Sequence, residues 1–282
     1  MRRIFLCGSP GLRFSWGVKA QPFVIKRKIR LADFDPDYCG GLDKEKTKSK
    51  TDKLGRRIGE LQDLLYANSR QAVLLIVQGM DASGKDGSAR SVLKHVNPLG
   101  VETANFKVPS SEERAHDYLW RVHKAVPRLG NIGVFNRSHY EAVLAERIMK
   151  IVAKKVWAGR YDQIVNFERM LVENNVLLLK FYLHISKEEQ AERFRERLAN
   201  PHKYWKFSHA DLHTRRHWKD YIHAYEDVLN KTNHKLARWH LVPADRNWYR
   251  DHVIARAVVR AMEGLNMKWP KPKEDVSKIR IR

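Results

Sequence analysis

The stretch that decides the fold of this chain covers residues 72 to 86 and reads AVLLIVQGMDASGKD. Its first half is a continuous apolar run, which is typical of a buried strand in a parallel sheet. Its second half has the spacing Gly-x4-Gly-Lys, which indicates a phosphate-binding loop between a strand and a helix. Glycines let backbone N–H groups turn toward an anion, and the helix N-terminus adds a positive dipole. The plainer alternative is a tight strand-to-helix turn with a chance lysine.

The residues of this loop are the first candidates for a site. Phosphate or nucleotide binding is predicted for Gly79, Ala82, Ser83, Gly84, Lys85, Asp86 and Gly87. Lys85 supplies a point charge for the phosphates. A Ser or Thr usually follows this lysine and helps to hold Mg²⁺, but here the position is Asp86. Together with Asp81 inside the loop, it predicts a metal ion that is held by carboxylates.

The charge of the chain indicates an anionic partner. Its 282 residues carry a formal net charge of +22, which suits nucleic acid, an anionic membrane or a polyanionic small substrate. No apolar run approaches the length of a membrane span, so no membrane association is expected. Cys7 and Cys39 show no disulfide or metal spacing, and a reduced, cytoplasmic setting fits them best.

Strands alternate with helices along the whole chain. Strands are predicted at 72–78, 101–108, 132–135, 176–185 and 239–242, and helices at 45–67, 85–96, 110–126, 139–152, 160–175, 186–198, near 230 and at 248–265. This alternation predicts an α/β fold, with a parallel sheet and helices on both faces. A flexible basic extension is expected over 1–30, a single domain over 31–268 and a loose tail over 269–282.

A second candidate segment follows the predicted strand at 132–135. Ligands bind at the carboxyl ends of parallel strands, so residues 136–141 should share a sheet edge with the loop at 79–86. The strand ends in Asn136, where nucleotide-binding folds usually place an aspartate that orients Mg²⁺. Arg137 is a natural phosphate clamp, and Glu141 can supply the missing carboxylate. The alternative is a helix N-cap followed by a solvated arginine.

Two basic groups complete the candidates. Arg121 forms a predicted i,i+4 pair with Asp117, and a nucleotide contact by Arg121 is the weaker reading. Arg193, Arg197, Lys203 and Lys206 surround Pro201. A mobile basic segment over a phosphate site would exclude water and neutralise charge, as the lid of a kinase does. The alternative is a solvated helical hairpin.

Taken together, these motifs resemble the polyphosphate kinase 2 family. The resemblance rests on Gly79–Gly87, on Asp117–His123 and on Phe135–Glu141, with support from Trp205–Phe207 and Asn247–Arg250. It covers roughly residues 31–268. The Asn136 segment is similar to the dual-acting class, called class III, which takes AMP through ADP to ATP. Related members often have a second acid after the glutamate, where this chain has Ala142.

The resemblance implies a three-layer α/β/α P-loop kinase fold with a helical lid at about 187–220. It implies transfer of a phosphoryl group between inorganic polyphosphate and an adenine or guanine nucleotide, with Mg²⁺ or, as a substitute, Mn²⁺. Asp81, Lys85 and Arg137 would then be catalytic, with Asp81 and Glu141 at the metal. Arg121, Asn136 and Arg137 would contact phosphates or the nucleotide, and the four basic residues around Pro201 would bind polyphosphate. A homodimer or homotetramer is also implied.

Two other functions remain open on the sequence. An ATP-dependent nucleoside monophosphate kinase would share the loop, the lid and the fold, but both of its substrates are small and the charge is less well explained. A basic nucleic-acid-binding P-loop protein would use the aromatic and basic residues at 203–218 for stacking. Asp81 and Asp86 in the anion cradle favour metal-phosphate chemistry, so no obligatory nucleic acid is expected.

Overall fold

A computed structural model describes residues 23–272, 274–276 and 279–281. The strands are β1 (Phe23–Val24), β2 (Ala72–Gly79), β3 (Val101–Asn105), β4 (Ile132–Asn136), β5 (Val176–His184) and β6 (Trp239–Pro243). The α-helices are α1 (Lys44–Asn68), α2 (Lys85–Val92), α3 (Ser111–Ala115), α4 (Trp120–Lys124), α5 (Ala145–Ile148), α6 (Lys154–Glu173), α7 (Lys187–Leu198), α8 (His209–Arg216), α9 (Trp218–Lys231) and α10 (Asn247–Glu263). Short 3-10 helices cover Leu31–Asp33, Pro98–Gly100, His139–Ala142 and Pro201–Lys206.

The strands form one sheet in the order β1-β6-β5-β2-β4-β3. All neighbouring pairs are parallel except β1 with β6, which is antiparallel. The predicted parallel sheet is therefore confirmed, with one antiparallel edge strand added. The central strand β2 is buried along its whole length, which explains why its sequence is apolar at successive positions and does not alternate.

Helices cover both faces of the sheet, as the alternating pattern predicts. Helix α1 packs on α10, and α10 packs on α2, β5 and β6. On the other face α6 packs on β5, and Tyr225 of α9 contacts Tyr182 of β5 at 4.8 Å between ring centroids. The three layers place the ends of β2 and β4 side by side at one edge, and the candidate residues lie there.

Helix α1 shows how closely periodicity predicts an element. Leu54, Ile58, Leu61 and Leu65 recur at helical spacing, and the last three are buried. The Asp43 side chain accepts a hydrogen bond from the N–H of Lys46 at 2.8 Å and caps the helix, which stabilises its start. The predicted range of 45–67 differs from the observed helix by one residue at each end.

Four predicted elements are clearly shorter or interrupted. The helix predicted at 85–96 ends at Val92. The strand predicted at 101–108 ends at Asn105. The helix predicted at 110–126 is split into α3 and α4, because the side chain of Asp117 accepts the N–H of Leu119 at 2.9 Å and diverts the backbone. The helix predicted at 139–152 is a 3-10 turn and the four-residue α5, and Ser138 caps the turn through the N–H of Tyr140. A capping box formed by Ser110 and Glu113 begins α3.

The N-terminal boundary at residue 31 needs correction. Residues 23–24 form β1 on the edge of the sheet, and Ile25 is fully buried in the core. The carbonyl of Ile25 accepts a hydrogen bond from the Asn233 side chain at 2.8 Å. The folded part therefore includes residues 23–30. The rest of the predicted extension, with Cys7, lies outside the described residues, whereas Cys39 is buried.

Candidate active site

The loop after β2 has the backbone geometry of an anion cradle. We call residues 80–84 the phosphate loop; it joins β2 to α2. Gly79 and Gly84 have φ angles of 153° and 97°, and Ala82 lies in the left-handed region at 62°. A side chain on Gly84 would collide with the guanidinium of Arg250. Glycine is therefore required at Gly84 both by the backbone angle and by the close approach of Arg250.

Lys85 points back into the phosphate loop. Its Nζ donates hydrogen bonds to the carbonyl oxygens of Gly79 at 2.8 Å and Met80 at 3.0 Å. Burial lowers the pKa of Lys85 to about 8, while Asp81 acts in the opposite direction. Burial therefore disfavours the charged form of Lys85, and an anion bound beside its Nζ would favour that form.

Arg137 joins the two strand ends. Its Nη2 contacts Oδ1 of Asp81 at 2.8 Å, and its Nη1 lies 3.8 Å from Oε2 of Glu141. Glu141 and Asp81 raise the pKa of Arg137 above its usual value, whereas burial raises the pKa of Glu141. The backbone of Arg137 is left-handed, with φ of 61°. Such a conformation costs energy for a residue other than glycine and is typical of functional turns.

Asn136 and Asp86 also meet across this edge. The Nδ2 of Asn136 donates a hydrogen bond to Oδ1 of Asp86. The pair links the end of β4 to the start of α2, as expected from the parallel register in which Val77 lies beside Asn136. The structure thus brings together Asp81, Lys85, Asp86, Asn136, Arg137 and Glu141.

A buried polar cluster in the core holds the residues that follow β4. The carboxylate of Glu168 on α6 accepts hydrogen bonds from Tyr140 Oη at 2.6 Å and from Lys180 Nζ at 2.6 Å. The rings of His139 and His234 contact the same carboxylate. Although burial opposes it, Lys180 holds the pKa of Glu168 well below its usual range. His139 and Tyr140 therefore point into the core and hold the segment that carries Arg137 and Glu141.

The phosphate loop is held by its carbonyl groups. Three consecutive carbonyls accept hydrogen bonds from side chains of distant elements: Asp81 from Gln190 at 2.8 Å, Ala82 from Arg193 at 2.8 Å and Ser83 from Arg250 at 3.3 Å. We call these donors the carbonyl clamp. The sequence argument did not identify Gln190 as part of the site, and Arg250 entered only as part of a matching motif. Their contacts span more than a hundred residues of chain, which no local pattern can reveal.

The predicted lid residues have different surroundings. Arg193 is fully engaged: besides Ala82 it donates to the carbonyls of Ala244 and Asp245 and to the carboxylate of Glu189. This placement does not support the predicted contact of Arg193 with polyphosphate, because its guanidinium nitrogens already serve the protein. Arg197 contacts Asp211 at 3.3 Å.

The segment around Pro201 is the exposed part of the predicted lid. Lys203 and Lys206 are exposed, and Lys206 lies over the ring of Trp205 at 5.0 Å. The Trp205 side chain itself is 77% exposed. These two lysines are therefore accessible to a polyanion, in contrast to Arg193.

Arg121 lines a cavity beside the charged cluster. Its Nη1 contacts Oε2 of Glu113 at 3.3 Å and the carbonyl of Lys107 at 2.9 Å, so the predicted pair with Asp117 is replaced by a pair with Glu113. The cavity has a volume of about 330 Å³. Its lining includes Tyr118, Arg160 and Ser138, and Ser138 follows Arg137 in the chain. The cavity therefore opens next to the residues that could hold phosphate.

The carboxylates fit a metal that is shared with a substrate. Among the described residues, no three His, Cys, Asp or Glu side chains gather in a metal-binding group. Mg²⁺ commonly takes only one or two carboxylates and completes its shell with substrate phosphates and water. Asp81 and Glu141 contact the same guanidinium, so their carboxylates face one small space. These residues are suited to hold such an ion once phosphates are present.

Comparison with known proteins shows which family the chain resembles. The family model described as polyphosphate kinase 2 matches residues 41–270. The AMP/ADP-polyphosphate phosphotransferase of Meiothermus ruber is 46% identical over 256 residues, or 90% of this chain and 96% of that protein. The ADP-polyphosphate phosphotransferase of Rhodopseudomonas palustris is 44% identical over 76% of this chain and 78% of its own. The crystal structure of polyphosphate kinase 2 from Arthrobacter aurescens matches with a TM-score of 0.89 at 36% identity, over 92% of this chain and 95% of that one.

Proposed function

Because the chain belongs to the polyphosphate kinase 2 family, we propose that it moves phosphoryl groups reversibly between inorganic polyphosphate and AMP or ADP. The observation that carries the proposal is the meeting of Lys85, Asp81, Arg137 and Glu141 at two neighbouring strand ends. A cradle with both cations and carboxylates suits metal-assisted phosphoryl transfer. The two curated relatives described above are named for AMP/ADP and for ADP, which supports these acceptors.

The donor polyphosphate would bind at the phosphate loop. Lys85 would exchange its contacts with the carbonyls of Gly79 and Met80 for phosphate oxygens. The N–H groups of the loop and the start of α2 would face the same anion. Exposed Lys203 and Lys206 on the lid segment would contact more distant phosphates, where the net charge of +22 favours a long polyanion.

The acceptor nucleotide would occupy the cavity beside Arg121. Its volume of about 330 Å³ falls within the range of small-molecule sites. Tyr118 offers an aromatic face, and Arg160 lies over its ring at 4.5 Å. The nucleoside would lie there with its phosphates directed past Ser138 toward Arg137. Arg121→Met is expected to raise the KM for AMP severalfold and to leave tripolyphosphate binding unchanged, as measured by calorimetry.

The transfer itself needs no covalent enzyme intermediate. The terminal phosphate oxygen of the nucleotide forms a bond to the end phosphorus of polyphosphate, while the bond from that phosphorus to the next phosphate breaks. The shortened chain leaves with the electron pair. Arg137 would leave its carboxylate partners in part to contact the moving group, and Lys85 would stabilise the charge on it.

Asp81 and Glu141 are suited to hold a divalent metal. We propose that these two residues would hold Mg²⁺, with Mn²⁺ as a substitute, and that the ion, when bound, would supply positive charge to offset that of the phosphates. Asp81→Asn is expected to raise the Mg²⁺ concentration for half-maximal rate and to lower kcat about tenfold or more. A titration of the rate with Mg²⁺ measures both, and an unchanged Mg²⁺ profile would remove Asp81 from the metal site.

The dual-acting class is a finer proposal that rests on Asn136. Its amide contacts Asp86 at the junction of the two strands, where an aspartate would bring a second negative charge close to Asp86. The dual-acting class itself is what the resemblance of the Asn136 segment implies. We also propose, on the family resemblance, that guanine nucleotides are accepted and that the protein is a homodimer or homotetramer. A cytoplasmic setting is proposed because Cys7 and Cys39 show no disulfide or metal spacing. Among the described residues, none of the helices has the length and apolar character needed to cross a bilayer.

The test of the function is an acceptor and donor exchange. Purified protein is incubated with Mg²⁺, long-chain polyphosphate and either AMP or ADP, and the nucleotides are separated by chromatography. ATP from both acceptors supports the dual-acting enzyme. ATP from ADP alone keeps the family activity but rejects the interpretation of Asn136. Product that forms only when ATP replaces polyphosphate as donor would indicate a nucleoside monophosphate kinase.

A further inference from the structure

The carbonyl clamp sets the direction of the N–H groups in the phosphate loop. In a trans peptide unit the C=O and the N–H point in opposite directions. Holding the carbonyls of Asp81 and Ser83 therefore fixes where the N–H groups of Ala82 and Gly84 point. The intervening N–H, that of Ser83, donates to the carbonyl of Met80 at 3.1 Å. Ala82 has left-handed φ, which alanine does not favour, so its two flanking peptides need external support.

The three donors of the clamp lie on two helices, Gln190 and Arg193 on α7 and Arg250 on α10. Arg193 also holds the carbonyls of Ala244 and Asp245, and Arg250 belongs to α10. Arg193 therefore links the loop to the connection between β6 and α10, and Arg250 links it to α10 itself. Gln190 alone among the three is a neutral side chain, and it is fully buried. Its second side-chain hydrogen bond is made with Arg215 of α8.

Gln190 connects the phosphate loop to the lid. While its Nε2 donates to the carbonyl of Asp81 at 2.8 Å, its Oε1 accepts from Nη1 of Arg215 at 3.1 Å. Arg215 lies on α8 and also donates to the carbonyl of Lys187 at 2.6 Å. The side chain of Asp81 is the one that contacts Arg137 at 2.8 Å. A continuous chain of hydrogen bonds thus runs from α8 to the backbone of a residue at the reacting centre.

We propose that Gln190 is a positioning residue that couples the lid helix α8 to the phosphate loop. A movement of α8 when polyphosphate binds would act through Arg215 and Gln190 on the peptide between Asp81 and Ala82. The loop would then reach its anion-binding geometry only when α8 is in place. Because the same state of the phosphate loop would be needed for binding and for transfer, Arg215 and Gln190 would affect both the polyphosphate affinity and the transfer rate.

The inference uses transfer as a readout and so rests on the proposed function, but its first test does not require turnover. Gln190→Leu removes both hydrogen bonds at similar volume. We expect it to weaken the binding of inorganic tripolyphosphate and to lower kcat about 10- to 100-fold, because small displacements of a reacting group have such effects. The KM for AMP should stay within about twofold, because the nucleotide cavity does not include this residue.

Gln62→Leu is the matched control. Gln62 is also buried, and its Oε1 accepts a backbone N–H, that of Asn97, at 3.3 Å. It lies on α1, away from the phosphate loop. Both leucine variants should lose thermal stability, but only Gln190→Leu should lose tripolyphosphate affinity when both are assayed well below their melting temperatures. Equal behaviour of the two variants would overturn the positioning role, whether or not the wild-type protein turns over.

The coupling is tested by combining Gln190→Leu with Arg215→Met. If Arg215 acts through Gln190, Arg215→Met alone lowers tripolyphosphate affinity and kcat, yet adds less than about twofold to the Gln190→Leu variant. Full multiplication of the two effects would mean that Arg215 acts independently, and it would reject the coupling. If the wild-type protein binds tripolyphosphate but does not transfer phosphate, the proposed function is rejected. The positioning role of Gln190 is then still tested by comparing tripolyphosphate binding in the Gln190→Leu and Gln62→Leu variants.

Discussion

The phosphate loop and the segment at 136–141 meet at one sheet edge, but they are held from opposite directions. The loop is held by its backbone, through Gln190, Arg193 and Arg250 from helices around the edge. The segment is held by side chains that reach into the core, where Tyr140 contacts Glu168. Under the coupling proposed above, the first support would respond to a movement of α8, whereas the second is part of the folded core.

Because of this difference, we expect substitutions in the two regions to affect different properties, stability in one and activity in the other. Damage beneath 136–141 should appear first as lost stability, because it leaves a buried charge without a partner. Damage at the loop should appear first as lost activity, because groups such as Lys85 carry a lowered pKa and contribute little to folding. The predictions below test this division, from the largest expected effect to the smallest.

Glu168→Ala should be the most destabilising change. It leaves Lys180, which has no exposed side-chain surface, as a buried ammonium group whose carboxylate partner is gone. Breaking a buried pair in this way costs about 3–5 kcal/mol of unfolding free energy. Chemical denaturation measures the loss. Replacement of both partners, Glu168→Leu with Lys180→Met, should recover much of the stability, and failure to recover any would contradict the role given to this pair.

Lys85→Ala should give the largest loss of activity for the least loss of stability. Removing one preorganised donor from a charge-developing site commonly lowers kcat by about 10²–10³-fold. The melting temperature should change little, because the lysine is held in a desolvated position as a cation. Steady-state kinetics with polyphosphate and ADP, beside a thermal melt, measures both. Near-normal turnover would show that the loop is only a structural turn.

Phosphate binding should draw a proton onto Lys85. Its pKa of about 8 lies below the ordinary value because burial disfavours the charged form; a bound phosphate favours that form and raises the pKa again. Uptake should be about half a proton at pH 8 and approach one at pH 9. Calorimetry of tripolyphosphate binding in two buffers of different ionisation enthalpy gives the number. The Lys85→Met variant should take up none, and equal uptake by the variant would assign the proton elsewhere.

The exposed lid lysines should give the smallest effect. Lys203→Ala with Lys206→Ala removes two exposed charges, each worth about 0.2–1 kcal/mol at a solvated surface. The KM for long-chain polyphosphate should rise a few fold at low salt and less at high salt, with kcat unchanged. A loss of kcat instead would mean that the lid lysines reach the reacting phosphates.

The sequence predicts the sheet edge well because its signals there are local. The apolar run of β2, the glycine spacing and Lys85 lie within fifteen consecutive residues, and the placement of Asn136 beside them follows from parallel strands. The edge strand β1 is missed because it has only two residues in a basic stretch that lacks a periodic pattern. The break at Asp117 is missed because a side-chain hydrogen bond outweighs helical spacing there.

The supports of the site could not be predicted in the same way. Arg193 has the right spacing for a solvated lid cation, and only the tertiary structure shows that four protein oxygens occupy it. Gln190 carries no motif at all. Glu168 and Lys180 look like surface residues of a helix and a strand, but they are the buried anchor of the segment beside them.

The most direct measurement of the central claim is ³¹P NMR of one mixture that contains the protein, Mg²⁺, polyphosphate and AMP, with no ATP added. The account predicts that phosphorus is lost from the middle-chain signals of polyphosphate and appears, one for one, in the β-phosphate of ADP and in the β- and γ-phosphates of ATP. Release of orthophosphate without nucleotide phosphorylation, or unchanged spectra with active control enzyme, would contradict transfer between polyphosphate and the nucleotide at this site.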